Sequence, residues 1–255
     1  MVRFSCSTTD GNYSFSNCQW SDFENSLPGS CIYLDDSSSS LIVEKCSFTD
    51  CTVNKGCGGA IFLSHLNKVK IVLSSFLRCN ILSAFHHENG GGGVFLEYVS
   101  DEVIIHSSSF LDSSVPHDAG GADMWYCNCT TGHTNTFNDC KFIKCIGADS
   151  DGGGIMAWLN TYNVGISNTL FAYCSTALGG GIRIYVPLSV PPQFITFCFF
   201  DNNSGTWGHD VCVTPELNDS PLLHCFSTKD EKRLGYWTED NPGLYSVEIN
   251  NNWLP

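Results

Sequence analysis

Basic residues are scarce in this chain. Lysine and arginine together number 12 among 255 residues, against 26 aspartates and glutamates, so the formal net charge is -14. An acidic surface repels the phosphates of nucleic acids and the headgroups of anionic membranes, and we therefore predict no nucleic-acid partner. Charged residues amount to only 15% and hydrophobic residues to 42%, which is typical of a folded domain.

Long apolar runs are missing as well. The stretch 152–182 has no charge, but Asn, Ser, Thr and Gly interrupt it, whereas a membrane-spanning helix needs ~20 mostly apolar residues. We therefore predict no membrane span. The first residues, MVRFSCSTTDGNYSFS, lack the apolar core of a signal peptide, so either the chain is a piece of a longer precursor or it is not secreted.

Sequence motifs of enzymes and metal sites are absent too. The chain has no GxSxG, P-loop or HExxH motif, and no paired CxxC spacing of the kind that binds zinc. No segment shows a sustained 3.6-residue period, so helices should be few. We predict no catalytic residues, no cofactor and no metal.

What the chain does have is an internal repeat of roughly 30 residues. Its anchor is an aromatic residue that recurs at spacings of 28, 28, 34, 32, 29 and 29. An apolar residue lies five positions before each anchor, and a small residue lies two positions before it. The anchors are Trp20, Phe48, Phe76, Phe110, Phe142, Phe171 and Phe200.

A glycine-rich element recurs in the same phase. Each copy leads into a short alternating apolar segment, as in GGAIFL (58–63), GGGVFL (91–96) and GGGIRI (179–184). Aligned on the glycines, the first strand position is apolar in every copy except GGADMW (120–125), where Asp123 occupies it. Period-2 alternation with one apolar face indicates β-strands.

A single unit of two or three short strands cannot bury its own apolar positions. Units stacked end to end can, because each strand then pairs in parallel with its equivalent in the next unit, ~4.8 Å away. Parallel crossovers favour the right-handed connection. We therefore predict an all-β fold, a right-handed parallel β-helix of about seven coils with an irregular C-terminal cap.

The repeat also resembles a known family. Gly58, Gly59, Ala60 and Ile61 form GGAI, and Phe200 to Asn203 form F-x-x-N, the two motifs of the polymorphic outer membrane protein repeats of chlamydiae, with related proteins in trichomonad-type protists. The resemblance covers about residues 13 to 214 and implies a pectin-lyase-like β-helix. It also implies an adhesin-like role at the cell surface or outside the cell.

The pattern divides the chain into three parts. Residues 1–12 are predicted to be a ragged start, 13–214 the repeat domain, and 215–255 a cap or the beginning of a further region, since an open solenoid end leaves strand edges bare. The longest link within a coil, ILSAFHHENGGGG, is predicted to protrude.

Fifteen cysteines are unusual for a chain of this length, and they suggest an oxidising compartment. Many occupy equivalent positions in adjacent units, such as Cys18 with Cys46, Cys51 with Cys79, and Cys145 with Cys174. Stacking would bring each pair within disulfide range, but free cysteine also fills a narrow apolar column well. Both readings stay open, the second being favoured.

Acidic residues and histidines precede three of the glycine elements. Stacking would align them in one stripe across adjacent coils, where they could bind a cation or flank a glycosidic bond. A solvated row of turn residues explains them equally simply and is favoured. Arg183, in an outward phase on its strand, lies two coils beyond the stripe's centre and does not complete a lyase site. The stripe comprises Glu88, His117, Asp118, Asp149 and Asp151.

Three functions are compatible with this pattern. The first is a non-enzymatic, extracellular or cell-surface repeat protein that binds a host or cell-surface protein or a glycan. The second is a polysaccharide-binding or polysaccharide-degrading protein (a lyase or glycoside hydrolase) that uses the stripe. The third is an intracellular scaffold with reduced thiols.

Overall fold

The structure is a computed structural model that describes residues 6–9, 11–83, 90–127, 135–148, 151–158, 164–187, 193–205, 210–216, 224–226 and 245–249. Within these ranges the chain is all β and contains no helix, so none that could span a membrane. In chain order the strands are β1 (Cys6–Thr9), β2 (Asn12–Ser16), β3 (Gln19–Ser21), β4 (Glu24–Asn25), β5 (Ile32–Asp35), β6 (Ser40–Glu44), β7 (Ser47–Thr49), β8 (Thr52–Lys55), β9 (Ile61–Ser64), β10 (Lys68–Val72), β11 (Ser75–Leu77), β12 (Asn80–Ser83), β13 (Val94–Glu97), β14 (Glu102–His106), β15 (Ser109–Leu111), β16 (Ser114–Val115), β17 (Ala122–Trp125), β18 (Asn135–Asn138), β19 (Lys141–Ile143), β20 (Ile146–Gly147), β21 (Ile155–Trp158), β22 (Val164–Ser167), β23 (Leu170–Ala172), β24 (Ile182–Pro187), β25 (Gln193–Asp201), β26 (Val211–Glu216), β27 (His224–Phe226) and β28 (Tyr245–Ile249).

The strands stack in parallel as a β-solenoid of about 6 turns, close to the predicted seven. Each full coil contributes one strand to each of three long ladders, and some coils add a short fourth strand. Two ladders, β2-β6-β10-β14-β18-β22 and β3-β7-β11-β15-β19-β23, join through the long strand β25 into one 15-stranded sheet. The third ladder, which follows the glycines, is an 8-stranded sheet with the order β27-β26-β24-β21-β17-β13-β9-β5.

The predicted interior columns are present. Val43, Ile71 and Ile105 pair in register and are fully buried. The aromatic anchors stack face to face along the whole solenoid, with ring centroids 4.5 to 5.2 Å apart. Because each ring covers the next, the stack buries apolar area in every coil and adds aromatic contact energy at each step.

The small residues beside the anchors mark the corners of the coil. Each follows a residue in the left-handed backbone region, such as Lys45 (φ 53°) before Cys46 and Leu73 (φ 53°) before Ser74. The Ser74 hydroxyl donates to the Val72 carbonyl at 3.0 Å and accepts the Cys46 backbone N–H at 3.2 Å. A short side chain with a polar tip therefore satisfies the backbone groups that the turn removes from the ladder.

The predicted orientation of the side chains is wrong in one strand, β17. Asp123 does not join the column of Ile61 and Val94, because the register pairs Val94 with Ala122 and Phe95 with Asp123. Ala119 takes the place that the first glycine holds in other coils, so Gly120 and Gly121 are the second and third residues of the corner. Ala122 and Met124 consequently face the interior, and Asp123 faces outward.

Additional strands lie at both ends of the stack. β1 pairs antiparallel with β2, in the segment predicted as a ragged start. β27 pairs antiparallel with β26, and β28 pairs in parallel with β25. Most of the predicted cap and the tip of the long link (84–89) lie outside the described residues, so the cap and the protrusion stay predictions.

Candidate functional site

The outer surface of the 8-stranded sheet differs from the other outer surfaces of the solenoid. Outward positions on the first ladder, such as Ile42 and Lys70, are exposed. On the 8-stranded sheet the outward side chains of Phe95, Asp123 and Met156 are almost completely buried. Phe95 and Met156 pack with Ala119 and Trp125 into a second apolar cluster outside the main core. These outward side chains are thus covered by other parts of the chain instead of standing in solvent.

Aromatic residues cover the same surface. Trp125, Trp158 and Tyr185 occupy equivalent positions in three adjacent coils, and the Trp125–Trp158 and Trp158–Tyr185 centroids are 5.0 and 4.8 Å apart. Tyr98 and Tyr126 directly follow β13 and β17, and their ring centroids are 5.5 Å apart. The Tyr126 centroid lies 5.7 Å from that of Trp158. We call these five residues the aromatic face.

The aromatic face is partly open to solvent. Tyr98 is 42% exposed, and Tyr126, Trp158 and Tyr185 are half-buried, while Trp125 lies beneath them. Aromatic rings fixed by stacking and exposed on one side lose little conformational entropy when a ligand packs on them. The face therefore presents a rigid apolar platform at the solvent boundary.

Four ionisable side chains lie at or under the platform; we call Asp118, Asp123, Asp151 and Arg183 the polar cluster. Arg183 is 2% exposed, and its Nε lies 3.2 Å from Asp151 Oδ1. Its guanidinium also lies 4.2 Å from the centre of the Tyr185 ring, whose hydroxyl donates to Asp151 Oδ2 at 3.2 Å. Burial raises the pKa of Asp151, and the charge of Arg183 opposes that rise.

Asp123 is in a different electrostatic state. Burial, followed by the neighbouring charges of Asp118 and Asp151, raises the pKa of Asp123 well above its ordinary value. In the described part of the chain neither carboxyl oxygen has a well-aligned hydrogen-bond partner, and the nearby Trp125 indole N–H has none either. Burial therefore favours the neutral form of Asp123, whereas Asp151 has an arginine beside it that favours the charged form.

The structure locates part of the predicted stripe. Asp118 and Asp151 lie at the same corner of adjacent coils and are buried against the 8-stranded sheet, not solvated as a row of turn residues would be. His117 is partly exposed beside them. Glu88 and Asp149 lie outside the described residues. Whether the stripe binds a ligand stays a prediction.

Sequence reasoning missed three parts of this site. Asp123 was placed in the interior because its corner was aligned on the wrong glycine. Arg183 was correctly given an outward phase but was judged too far from the stripe, although its length lets it reach Asp151 in the preceding coil. The aromatic face carries a signal in the sequence, since Trp125, Trp158 and Tyr185 each lie four positions after the last glycine of their element, but only the register shows that they touch.

The cysteines of the predicted columns are free thiols. Cys18, Cys46, Cys51, Cys79, Cys145 and Cys174 are all unbonded and buried, as the small-hydrophobe reading expected. Cys212 is disulfide-bonded, and Cys225 lies opposite it in the antiparallel register. Within the described ranges no group of three His, Cys, Asp or Glu side chains could hold a metal ion.

Comparisons with known proteins add nothing to this geometry. No family model matches the chain, and no curated protein and no solved structure is similar enough to count as a match. The parallel β-solenoid is shown by the structure, whereas membership of a particular β-helix family stays a prediction.

Proposed function

We propose that this chain is a non-enzymatic binding protein of the cell surface or the extracellular space, and that its aromatic face binds neutral glycans. The observation that carries this proposal is the continuous row of half-exposed rings, Tyr98, Tyr126, Trp158 and Tyr185, which crosses adjacent coils. The C–H groups of a sugar ring carry partial positive charge, and the face of an aromatic ring is electron-rich. Stacked rings therefore suit an extended saccharide.

The polar cluster supports the same ligand. Binding sites combine an apolar lining with a few fixed polar groups that orient the ligand. The partly exposed Tyr185 supplies such a group through its hydroxyl, which the buried Asp151 and Arg183 hold in place by contacts of 3.2 Å. The net charge of -14 disfavours anionic polysaccharides, because the surface as a whole repels them.

The surface location is supported by less direct arguments. The resemblance of the repeat to those of polymorphic outer membrane proteins implies an exposed role, and an elongated solenoid offers a long surface to a partner. A protein partner on the same face is the alternative outcome of the binding test below.

The test is a titration of the purified chain with soluble oligosaccharides of known charge. We expect binding of cellohexaose or chitohexaose and none of hexagalacturonate, measured by isothermal titration calorimetry. Trp158→Ala should weaken binding at least tenfold, about 1.4 kcal/mol, because it removes the central ring of the face. Tyr173→Ala is the control, because this tyrosine is more exposed (52%) than the half-buried Trp158 and lies on a different corner.

Two results would contradict the proposal. One is the absence of binding to any neutral glycan. The other is an equal loss of affinity in both variants, which would mean that the face has no special role. Circular dichroism of each variant shows whether the solenoid is intact.

A second function is favoured by one specific observation. Burial favours the neutral form of Asp123, while the charge of Arg183 favours the ionised form of Asp151, and glycoside hydrolysis needs one carboxyl group in each of these forms. If the chain released new reducing ends from a bound glycan, and Asp151→Asn abolished that release without loss of binding, the protein would be a hydrolase and not a lectin-like binder.

A further inference from the structure

Two free thiols in the described part of the chain, Cys31 and Cys51, lie unusually close together. The Cys31 thiol donates to Cys51 across 3.0 Å between the two sulfur atoms. Two unbonded sulfur atoms ordinarily lie at least ~3.6 Å apart, and the sulfur atoms of a disulfide bond lie ~2.05 Å apart. The distance between Cys31 and Cys51 falls between these two values. Cys31 directly precedes β5 in the first coil, and Cys51 directly precedes β8 in the second.

The repeat explains why this pair occurs once. The residue equivalent to Cys31 is Ala60 in the second coil and a glycine, such as Gly93 or Gly121, in later coils. The position faces the interior column that contains Cys51 and Cys79. Only in the first coil does the corner position itself carry a thiol, so only there can a thiol reach across to the column of the next coil.

The other cysteines of the columns donate to backbone carbonyls. The Cys46 thiol donates to the carbonyls of Glu44 and Phe15 at 3.3 and 3.5 Å, and the Cys145 and Cys174 thiols donate to carbonyls one coil away at 3.4 Å. These side chains are at most 2% exposed, which keeps oxidants away from them. Cys31, by contrast, is partly exposed.

We propose that Cys31 and Cys51 are a disulfide site that closes when the folded chain meets a low-molecular-weight disulfide such as oxidised glutathione. The Cys31 thiolate attacks one sulfur of the glutathione disulfide and releases one glutathione thiolate. The Cys51 thiolate then attacks Cys31 Sγ, forms the Cys31–Cys51 bond and releases the second glutathione thiolate. The two protein thiols are oxidised, one glutathione disulfide is reduced, and both protons end on glutathione.

The bond would join the first coil to the second. The first coil has a full neighbouring coil on one side only, so it is lost by fraying more easily than an inner coil. The hydrogen bond to Cys51, and then burial, raise the pKa of the Cys31 thiol far above its ordinary value, so oxidation should be slow at neutral pH and faster in alkali. This proposal does not depend on the glycan-binding proposal.

The test is native oxidation followed by disulfide mapping. The fully reduced, folded chain is incubated with oxidised glutathione at pH 8, alkylated with iodoacetamide and digested without reduction. We expect a peptide pair linked through Cys31 and Cys51, about 2 Da lighter than the two reduced peptides together. The disulfide at Cys212 re-forms in the same sample and serves as an internal reference.

Two variants complete the design. Cys31→Ser should abolish the linked pair, whereas Cys57→Ser should leave it unchanged, because Cys57 is another partly exposed thiol. Oxidation should also raise the melting temperature of the wild type by more than that of Cys31→Ser, in which the disulfide at Cys212 still re-forms. Failure to find the Cys31–Cys51 link in the folded wild type, or the earlier appearance of a link between Cys18 and Cys46 or between Cys145 and Cys174, would overturn the proposal.

Discussion

The close approach of backbones at the glycine corner yields the sharpest prediction. A Cβ atom added at Gly92 would overlap the carbonyl oxygen of Gly120 in the next coil and lie 2.7 Å from that of Cys79. Both obstacles are backbone atoms, so no side-chain rotation can relieve the contact. Gly92→Ala should therefore force adjacent coils apart.

The hydrogen bonds at this corner set the size of the effect. Gly92 N–H donates to Ala119 at 3.2 Å, and Gly93 N–H donates to Gly121 at 2.9 Å. A displacement on the order of 1 Å is needed to restore van der Waals contact, and it breaks both bonds. Each buried backbone group left unpaired costs about 1–3 kcal/mol, so we expect a loss of about 3 kcal/mol or more.

Gly165→Ala is the matched control. Gly165 lies in β22, and its added Cβ would come no closer than 3.9 Å to Thr136 Cγ2. It should change the free energy of unfolding by no more than about 0.5 kcal/mol. Urea unfolding followed by tryptophan fluorescence compares the two variants with the wild type. Equal midpoints for both would show that the close approach does not explain the glycine column.

Two further predictions concern the core and the polar cluster. The Phe110 ring centroid lies 4.7 Å from those of Phe76 and Phe142. Phe110→Ala should therefore lower the free energy of unfolding by about 3–5 kcal/mol in the same urea titration, and Phe110→Leu should lower it clearly less. A loss below about 1 kcal/mol for the alanine variant would contradict the structural role of the stack. Burial raises the pKa of Asp123 in the folded state. The contribution of Asp123 to stability is therefore full below its unfolded-state pKa of ~3.9, and it is lost as the pH rises toward the folded-state pKa. The loss is about 1.4 kcal/mol per pH unit. Asp123→Asn should therefore be more stable than the wild type at pH 7 and lose most of this pH dependence. Parallel stability curves for the two proteins between pH 4 and pH 7 would refute the raised pKa of Asp123.

The repeat was readable from the sequence because its two signals are local. An aromatic at a nearly constant spacing and an alternating segment after the glycines identify which residues point inward, and the columns of Val43, Ile71 and Phe110 follow directly. Parallel stacking is then the simplest arrangement that buries all of them. The sequence also placed Arg183 outward, as the structure has it.

The sequence did not predict in this way which side chains point inward after a single irregular corner. The GGADMW copy has the same glycine pair as its neighbours, but Ala119 fills the preceding corner position. A shift of one residue moves a strand's whole set of side chains to the opposite face. Only the pairing of Asp123 with Phe95 settles which way it points.

The sequence by itself determined the architecture, because a repeated period of apolar positions has few ways to be buried. The tertiary structure decided which of the outward surfaces is covered and which side chains meet there. Asp151 and Arg183 belong to consecutive coils, and Cys31 and Cys51 to different corners of adjacent coils. Contacts of that kind depend on how the corners fold over the sheet and on how far each side chain reaches, and periodicity specifies neither.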